Sequence, residues 1–382
     1  MPATLDDLQT PCLLLERGRM ERNLERLAAR MAALGVALRP HLKTCKSVEV
    51  ARRMMPSRKG PATVSTLREA EEFAAAGVCD LTYAVGIAPH KLERVIALRA
   101  QGVDLSVILD SFEQAEAVAA RSRAYGLPIP ALIEIDADGH RAGVRPDEGE
   151  RLRAIGHLLA ERGAELRGVL THAGASYHAQ GAAALEQAAE GERAAAVAAA
   201  EVLRAAGLPC PVVSVGSTPT AHFARQLAGV TEVRAGVYVF FDLVMAGLGV
   251  CSIDDLALSV LATVIGHQPN KNGGWTLTDA GWMALSRDRG TAAQAVDQGY
   301  GLVCDLAGQP LGELIVGEAS QEHGVLLPRP GSPPAAAPEL PLGARVRILP
   351  NHACATAAQF DRYHVLHGTT TVEALWPRFN GW

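Results

Sequence analysis

Short apolar runs alternate with longer, alanine-rich amphipathic stretches from about residue 20 to about residue 240. The apolar runs are rich in Val, Ile and Leu without strict polar alternation, which is typical of strands buried on both faces. Capping residues such as Ser47, Thr66 and Ser111 precede several amphipathic stretches, as expected where helices begin. The predicted strands are residues 35–40, 62–65, 81–85, 105–109, 131–135, 166–171, 212–215 and 233–239.

Eight strand-helix units in about 220 residues match the size of a TIM (β/α)8 barrel. A doubly wound open sheet is the alternative, but no Gly-x-Gly-x-x-Gly motif follows the first strand, which disfavours its dinucleotide-binding version. After about residue 250 the runs become β-like, and the proline-rich segment 328–341 is expected to be an exposed loop. We therefore predict an α/β fold with a TIM barrel at 19–250 and a mostly-β domain at 251–382, to which residues 1–18 add a strand.

Composition narrows the class of protein. The net charge of −5 and the pI near 6.2 disfavour a surface for nucleic acid or anionic membranes. The sequence shows no secretory signal and no apolar run long enough for a membrane span. Seven scattered cysteines, an odd number, are typical of reduced thiols. We therefore expect a cytoplasmic enzyme.

Lysine is rare in this chain, and the position of Lys43 is informative. Only five lysines occur, and arginine supplies the rest of the 36 basic residues. Arginine stays protonated, whereas a desolvated lysine can act as an amine nucleophile. Lys43 follows the first predicted strand, at the rim where TIM barrels carry their active sites. It is therefore a candidate for a Schiff base with a carbonyl compound.

The turn Gly216-Ser217-Thr218 after the seventh predicted strand suits a phosphate group. Glycine permits close backbone approach, two hydroxyls can donate, and the N-terminus of a predicted helix follows. The simpler alternative is a turn that only caps the helix. A lysine and a phosphate cradle on one barrel rim together indicate pyridoxal phosphate, which needs a covalent partner and an anion anchor.

Four more side chains follow the ends of predicted strands. Arg141 is either a donor to the phenolate oxygen of the cofactor or one half of a rim salt bridge. His172 either packs against the pyridine ring or is a satisfied structural histidine. Tyr177 and Tyr238 are candidates for contact with cofactor or substrate, with a packing role as the alternative.

A separate motif follows the β-like run 344–349. His352 and Cys354 are two residues apart, so their side chains would face the same way in an extended segment. Imidazole and thiolate suit Zn²⁺ or a similar divalent ion, and a site with two protein ligands keeps open positions, as catalytic metals do. The alternative is a buried thiol beside a capping histidine.

Six motifs in a fixed order resemble one enzyme family. The chain resembles the fold-type III pyridoxal-phosphate enzymes of the D-serine dehydratase and D-threonine aldolase family, which are alanine racemase-like. The resemblance extends over almost the whole chain. One departure is Cys45, where many relatives have histidine, so no role of that side chain is carried over. The motifs are residues 39–44, 138–144, 171–174, 234–238, 321–324 and 350–354.

The resemblance implies a site as well as a fold. It implies a homodimer in which Lys43 carries the cofactor as an imine, with Arg141 and His172 near its ring. His352 and Cys354 would bind a divalent metal, with Zn, Mn, Co and Mg as the candidates. The residues expected around the phosphate are Gly216, Ser217, Thr218, Gly236 and Tyr238.

The metal pair also favours one reaction. In this family the His-x-Cys pair resembles the motif of the dehydratases, whereas D-threonine aldolases tend to have His-x-Asp. The expected reaction is the dehydration of a small D-3-hydroxy amino acid, either D-threo-3-hydroxyaspartate to oxaloacetate and ammonia or D-serine to pyruvate and ammonia. The alternatives are retro-aldol cleavage of D-threonine to glycine and an aldehyde, and a non-catalytic pyridoxal-phosphate homeostasis protein.

Overall fold

The computed structural model describes residues 4–139, 141–271, 274–332, 339–368 and 370–382. His140 of one sequence motif and residues 333–338 of the predicted proline-rich loop lie outside this part of the chain. The chain divides into two compact units. The barrel unit comprises Arg26–Gly236 and Gly381–Trp382, and the β unit comprises Met1–Glu25 and Val237–Asn380.

The strands and helices are numbered here in chain order. The strands are β1 (Cys12–Glu16), β2 (Ala37–Leu38), β3 (Ala62–Val64), β4 (Asp80–Gly86), β5 (Asp104–Leu109), β6 (Pro130–Ile135), β7 (Glu165–Thr171), β8 (Val212–Val215), β9 (Glu232–Val233), β10 (Leu258–Gln268), β11 (Trp275–Thr278), β12 (Gly301–Cys304), β13 (Pro310–Ala319), β14 (Gly324–Pro328), β15 (Arg345–Pro350), β16 (Arg362–His367) and β17 (Thr371–Pro377). The α-helices are α1 (Arg17–Ala33), α2 (Val48–Met54), α3 (Leu67–Ala75), α4 (Leu92–Ala100), α5 (Phe112–Tyr125), α6 (Gly149–Glu161), α7 (Gly181–Ala205), α8 (Thr218–Phe223), α9 (Leu243–Gly247), α10 (Trp282–Leu285) and α11 (Ala353–Ala357).

The barrel unit contains one sheet of eight parallel strands in the order β2-β9-β8-β7-β6-β5-β4-β3. The two ends of this sheet meet at a seam beside Thr63. The Thr63 amide donates to the Pro40 carbonyl at 2.8 Å, and the Leu42 amide donates to the Thr63 carbonyl at 2.8 Å. The predicted TIM barrel is confirmed.

A chain of buried polar contacts runs between β2, β8 and β9. Arg39 donates from Nη1 to Asp80 at 2.6 Å and from Nε to Glu232 at 2.7 Å. Ser214 donates to the other Glu232 oxygen at 2.7 Å and accepts from Arg234 Nη1 at 2.6 Å. Burial lowers the pKa of Arg234 to about 10, so this guanidinium stays charged at neutral pH. Each buried charge is therefore paired or hydrogen-bonded, as its desolvation requires.

Helix starts follow the capping residues in the sequence. Thr66 accepts from the Glu69 amide at 3.0 Å, and Ser111 accepts from the Gln114 amide at 3.2 Å. Ser47 also occupies an N-cap position, but its side chain makes no capping hydrogen bond. The helices α2, α3 and α5 therefore begin directly after the capping residues Ser47, Thr66 and Ser111, as predicted.

The β unit contains a nine-stranded sheet in the order β11-β14-β13-β12-β15-β10-β1-β16-β17. An additional pairing of β11 with β10 closes the first six of these strands into a barrel. The early strand β1 lies between β10 and β16, antiparallel to the first and parallel to the second. The buried Arg347 of β15 pairs with Glu16 of β1 at 2.5 Å.

One predicted strand is wrong over most of its length. Residues 233–239 were expected to be extended, but pairing stops at Val233 and Val237–Val239 forms a 3-10 turn. The Phe240 amide donates to the Val237 carbonyl at 3.1 Å, which closes this turn. The residues are apolar because they are buried, and an apolar run of this length does not distinguish a strand from a buried turn.

Within the ranges described above, no helix has both the length and the apolar composition of a membrane span. All seven cysteines lie within those ranges, and none forms a disulfide.

Candidate active site

Lys43 lies in the turn that follows β2 and is exposed at the barrel rim. The Lys43 side chain is therefore open to a ligand, whereas the prediction assumed a desolvated amine. Burial, followed by the positive charges of Lys43 and Arg234, holds the pKa of His41 well below its usual range. His41 is thus neutral, and its Nε2 lies 2.9 Å from the hydroxyl of Ser65.

The residues of the predicted phosphate cradle form a turn after β8. Ser217 caps α8 and accepts from the Thr220 amide at 3.2 Å. The Thr218 hydroxyl oxygen is buried and has no hydrogen-bond partner among the residues that the structure describes. A buried unpaired hydroxyl is costly unless a ligand satisfies it. The turn, with this donor at the start of a helix, therefore fits an anionic group such as phosphate.

Two glycines give the cradle its shape. Gly216 has a φ of +138°, and a Cβ at this position would clash with the backbone carbonyl of Arg234. A Cβ at Gly236 would lie 3.1 Å from the carbonyl oxygen of His41 and 3.2 Å from the hydroxyl of Thr44. Both glycines thus permit a close approach of backbone segments around the cradle.

Replacing Gly216 with alanine is expected to lower the free energy of unfolding by about 1–3 kcal/mol, because alanine is strained at this φ and has no room. Chemical denaturation of the purified variant measures this loss. Gly191 of α7 is a matched control, since a Cβ there has nothing within 4 Å and alanine favours helix. Equal stability of the Gly216→Ala variant and the wild type would contradict the assignment of strain.

His172 is placed beside the cradle by a hydrogen bond. Its Nδ1 lies 2.9 Å from the Gly216 carbonyl oxygen, so Nδ1 carries the proton and donates. Burial lowers the pKa of His172 to about 3, with further lowering by the charges of Lys43 and Arg141. The imidazole is therefore neutral at physiological pH. The Tyr177 ring lies 6.2 Å from the His172 ring, centroid to centroid.

Arg141 and Tyr238 have different surroundings. The Arg141 side chain is 57% exposed, and its Nη2 lies 3.6 Å from the carboxylate of the buried Glu134. Its charge also acts on His41 and His172, which places it at the same rim. Tyr238 belongs to the β unit, where it is fully buried in the 3-10 turn after Gly236.

Sequence reasoning missed two buried charges of the barrel unit. Glu192 of α7 accepts from the amides of Ala173 and Gly216, at 2.8 and 3.0 Å. Arg234 donates from Nη2 to the carbonyl of Thr171 at 2.5 Å. Arg234 lies in a motif used for the family resemblance, but no role was assigned to it. Glu192 could have been recognised in the sequence as a carboxylate among the apolar residues on one face of a predicted helix.

His352 and Cys354 lie together in the β unit, but not in an extended segment as predicted. His352 is the N-cap of α11, and Cys354 lies in its first turn. Their side chains nevertheless share a hydrogen bond. Burial lowers the pKa of His352, but the charges and hydrogen bonds of Cys354 and Asp288 outweigh it and raise the pKa to about 11. The pair is therefore in anionic surroundings.

Polar contacts fix this segment from three sides. Asp288 accepts from His352 Nδ1 at 2.6 Å, which leaves Nε2 as the nitrogen that can bind a metal. Asp242 accepts from the Ala353 amide at 2.9 Å. Asn351 accepts from the Thr291 hydroxyl at 2.6 Å. None of these three supports was predicted, because Asp242 and Asp288 lie far from His352 along the chain and Asn351 has an ordinary polar side chain.

The donor set fits a borderline-soft divalent ion, since it offers one imidazole nitrogen and one sulfur. Among the residues in the described ranges, no group of three or more His, Cys, Asp and Glu side chains is arranged to hold a metal. A metal on His352 and Cys354 alone would keep positions for water or substrate oxygens.

Comparisons with known proteins agree with this architecture. The family model of the alanine racemase N-terminal domain matches residues 15–244. A serine dehydratase domain model matches residues 257–366. The two matches together extend over most of the chain, and they join at the point where the sequence pattern changes.

Three similar proteins are informative. D-threo-3-hydroxyaspartate dehydratase from Delftia sp. (strain HT23) is 55% identical over 383 residues, covering 100% of both chains. Its solved structure has a TM-score of 0.95 and covers 99% of this chain and 100% of that one. A cysteine-to-alanine mutant of D-threo-3-hydroxyaspartate dehydratase, solved in the metal-free form, also has a TM-score of 0.95, with 55% identity and 100% coverage of both chains. D-threonine aldolase from Arthrobacter sp. is 30% identical and covers 97% of this chain and 92% of its own.

These matches support a pyridoxal-phosphate fold. The identity and coverage exceed what shared fold alone requires. The chain therefore belongs to the alanine racemase-like family that includes the D-serine dehydratases, and it is a lyase.

Proposed function

We propose that this enzyme converts D-threo-3-hydroxyaspartate to oxaloacetate and ammonia, with pyridoxal phosphate and a divalent metal. The observation that carries the proposal is the contact between His352 and Cys354 beside Asp288, because it offers nitrogen and sulfur to a cation. The 55% identity to a D-threo-3-hydroxyaspartate dehydratase supports the substrate. D-serine, which would yield pyruvate and ammonia, is the second candidate substrate.

In this proposal Lys43 is the attachment point of the cofactor aldehyde. The turn formed by Gly216, Ser217 and Thr218 would surround the phosphate, Thr218 would donate its hydroxyl to it, and Gly236 and Tyr238 would lie next to it. Support comes from the buried Thr218 hydroxyl, which has no partner within the described ranges, and from the close backbone approach at Gly216. Pyridoxal phosphate bound there supplies an electron sink for negative charge at the substrate α-carbon.

The remaining side chains of the rim orient the reactants and move protons. The Lys43 amine is the base that takes the α-proton of the D-amino acid. The neutral His172 packs beside the ring without adding a positive charge, since its pKa is about 3. Arg141 would donate to the phenolate oxygen of the cofactor, and Tyr177 would border the same space.

The metal would be held by His352 Nε2 and the Cys354 thiolate. A divalent ion there would supply Lewis acidity for the loss of the β-hydroxyl as water. Asp288 accepts the Nδ1 proton of His352, so a metal would displace the proton on Nε2. Imidazole and thiolate favour Zn²⁺, with Mn²⁺, Co²⁺ and Mg²⁺ as alternatives. The metal-free form of the related cysteine mutant supports the involvement of a metal.

The choice of substrate can be measured directly. We expect the highest kcat/KM for D-threo-3-hydroxyaspartate, a lower value for D-serine, and ammonia as a product of both. A coupled malate dehydrogenase assay detects oxaloacetate, and each substrate is tested with each of the four metals. The L-enantiomer is the matched control. Formation of glycine and an aldehyde from D-threonine as the fastest reaction would instead identify an aldolase.

The state and organisation of the protein are part of the same proposal. We propose a cytoplasmic homodimer, supported by the family resemblance and by seven cysteines without a disulfide. Residues 19–250 would form the cofactor-binding domain and residues 251–382 the domain that carries the metal. Residues 1–18 would add a strand to the latter.

A further inference from the structure

Glu192 is a buried carboxylate on an otherwise apolar face of α7. Only 2% of its surface is exposed, and the residues that share its face are alanine and leucine. A buried carboxylate is costly unless hydrogen bonds compensate, and burial raises the pKa of Glu192. Alanine would continue the stripe without that cost. Helix packing therefore does not explain the presence of glutamate at position 192.

Its contacts connect three segments of the candidate phosphate site. Glu192 Oε1 accepts from the amides of Ala173 and Gly216, at 2.8 and 3.0 Å. Its Oε2 accepts from the hydroxyl of Thr220 at 2.7 Å. One carboxylate thus ties the loop after β7, the turn after β8 and the first turn of α8 to the middle of α7.

These contacts fix the orientation of the cradle. At Gly216 the amide is held by Glu192 and the carbonyl by His172 Nδ1, so both polar groups of this residue are committed. The hydroxyl proton of Thr220 is directed to Glu192, so its oxygen lone pairs accept from the Ser217 amide at 3.0 Å. The Thr218 hydroxyl is left as a buried donor without a partner in the described part of the chain.

We propose that Glu192 is a positioning residue for the cofactor phosphate: acting through Gly216 and Thr220, it presets the cradle and leaves Thr218 to bind the phosphate. The inference depends on the proposed function, because it requires that pyridoxal phosphate binds at this cradle. The amides of Ala173 and Gly216 and the hydroxyl of Thr220 together require an acceptor at both terminal atoms of residue 192. A carboxylate provides two such acceptors, whereas an amide provides one. The amide of glutamine would direct an N–H group toward the Thr220 oxygen.

The test compares the affinity of the apoenzyme for pyridoxal phosphate with that for pyridoxal, which lacks the phosphate. In the Glu192→Gln variant we expect affinity for pyridoxal phosphate to fall about tenfold or more, and affinity for pyridoxal to change less than about twofold. Glu190→Gln is the matched control on the same helix, since Glu190 is half-exposed and pairs with Arg193. This control is expected to bind both compounds like the wild type.

A second variant keeps the inference falsifiable if Glu192→Gln does not fold. Thr220→Val removes the hydroxyl that joins Glu192 to the cradle and should cause the same phosphate-selective loss. Where both variants fold, their double variant should lose little more than either alone, because the residues act through one link.

Each outcome separates the two proposals. A wild-type apoenzyme that binds no pyridoxal phosphate would refute the proposed function itself. Binding by the wild type, with unchanged affinity in Glu192→Gln or Thr220→Val, would refute only the role of Glu192. An equal loss of affinity for pyridoxal and pyridoxal phosphate would also refute the role of Glu192. Such a loss would indicate a general structural defect and not a defect in phosphate binding.

Discussion

Replacing Lys43 with alanine is expected to remove the visible absorbance of bound pyridoxal phosphate and to reduce turnover by roughly 10⁴-fold or more. The expected loss is large because the proposal gives one amine two tasks, attachment of the cofactor and removal of the α-proton. The absorbance spectrum of the purified variant and its initial rate with D-threo-3-hydroxyaspartate measure the two effects separately.

Two further lysine variants make this test specific. Lys43→Arg keeps the positive charge near His41 but has no amine nucleophile, so it should fail like alanine. Lys59→Ala removes an exposed lysine from another loop and should retain both absorbance and turnover. A Lys43→Ala protein that keeps the visible band would show that another group attaches the cofactor.

Replacing Cys354 with alanine is expected to release the metal and to reduce turnover about 10³-fold, while bound pyridoxal phosphate remains. That reduction corresponds to about 4 kcal/mol of transition-state stabilisation, which is in the range expected for a Lewis-acid metal. Elemental analysis after dialysis measures the metal, and the visible spectrum measures the cofactor. Treatment of the wild type with a chelator should have the same effect, and added metal should reverse it.

Cys251 provides the matched control for this variant. It belongs to the same unit as Cys354 and has a similar partial exposure. Cys251→Ala should therefore retain metal and turnover. Undiminished turnover of the wild type after complete removal of metal would contradict the proposed role of His352 and Cys354.

The alternation of apolar runs and amphipathic stretches was sufficient to predict the barrel. Buried parallel strands need apolar residues on both faces, and helix caps are local signals, so both are visible in one sequence. The strand predicted at 233–239 failed because burial alone does not specify an extended backbone. The helix α1, which begins directly after β1, was not predicted, although Met20, Leu24, Leu27 and Met31 form a regular apolar face.

The candidate site was predicted as a set of residue types but not as a set of contacts. The lysine, the glycine-rich cradle and the His-x-Cys pair are recognisable from their chemistry and spacing. The extended geometry assumed for His352 and Cys354 was wrong, because the chain enters α11 at that point. Glu192 and Asp288 were missed because their partners are remote in sequence, and only the folded chain brings them together.

The seam of the barrel includes the residues that lead directly into Lys43. The strand β2 is only two residues long, and the bonds that join Thr63 to Pro40 and Leu42 complete the circle of strands. The proposed covalent attachment at Lys43 and the closure of the barrel thus depend on the same few peptide units. A change in the length or register of this segment would break the hydrogen bonds that close the barrel. New substrate specificities are therefore expected to arise from the other loops.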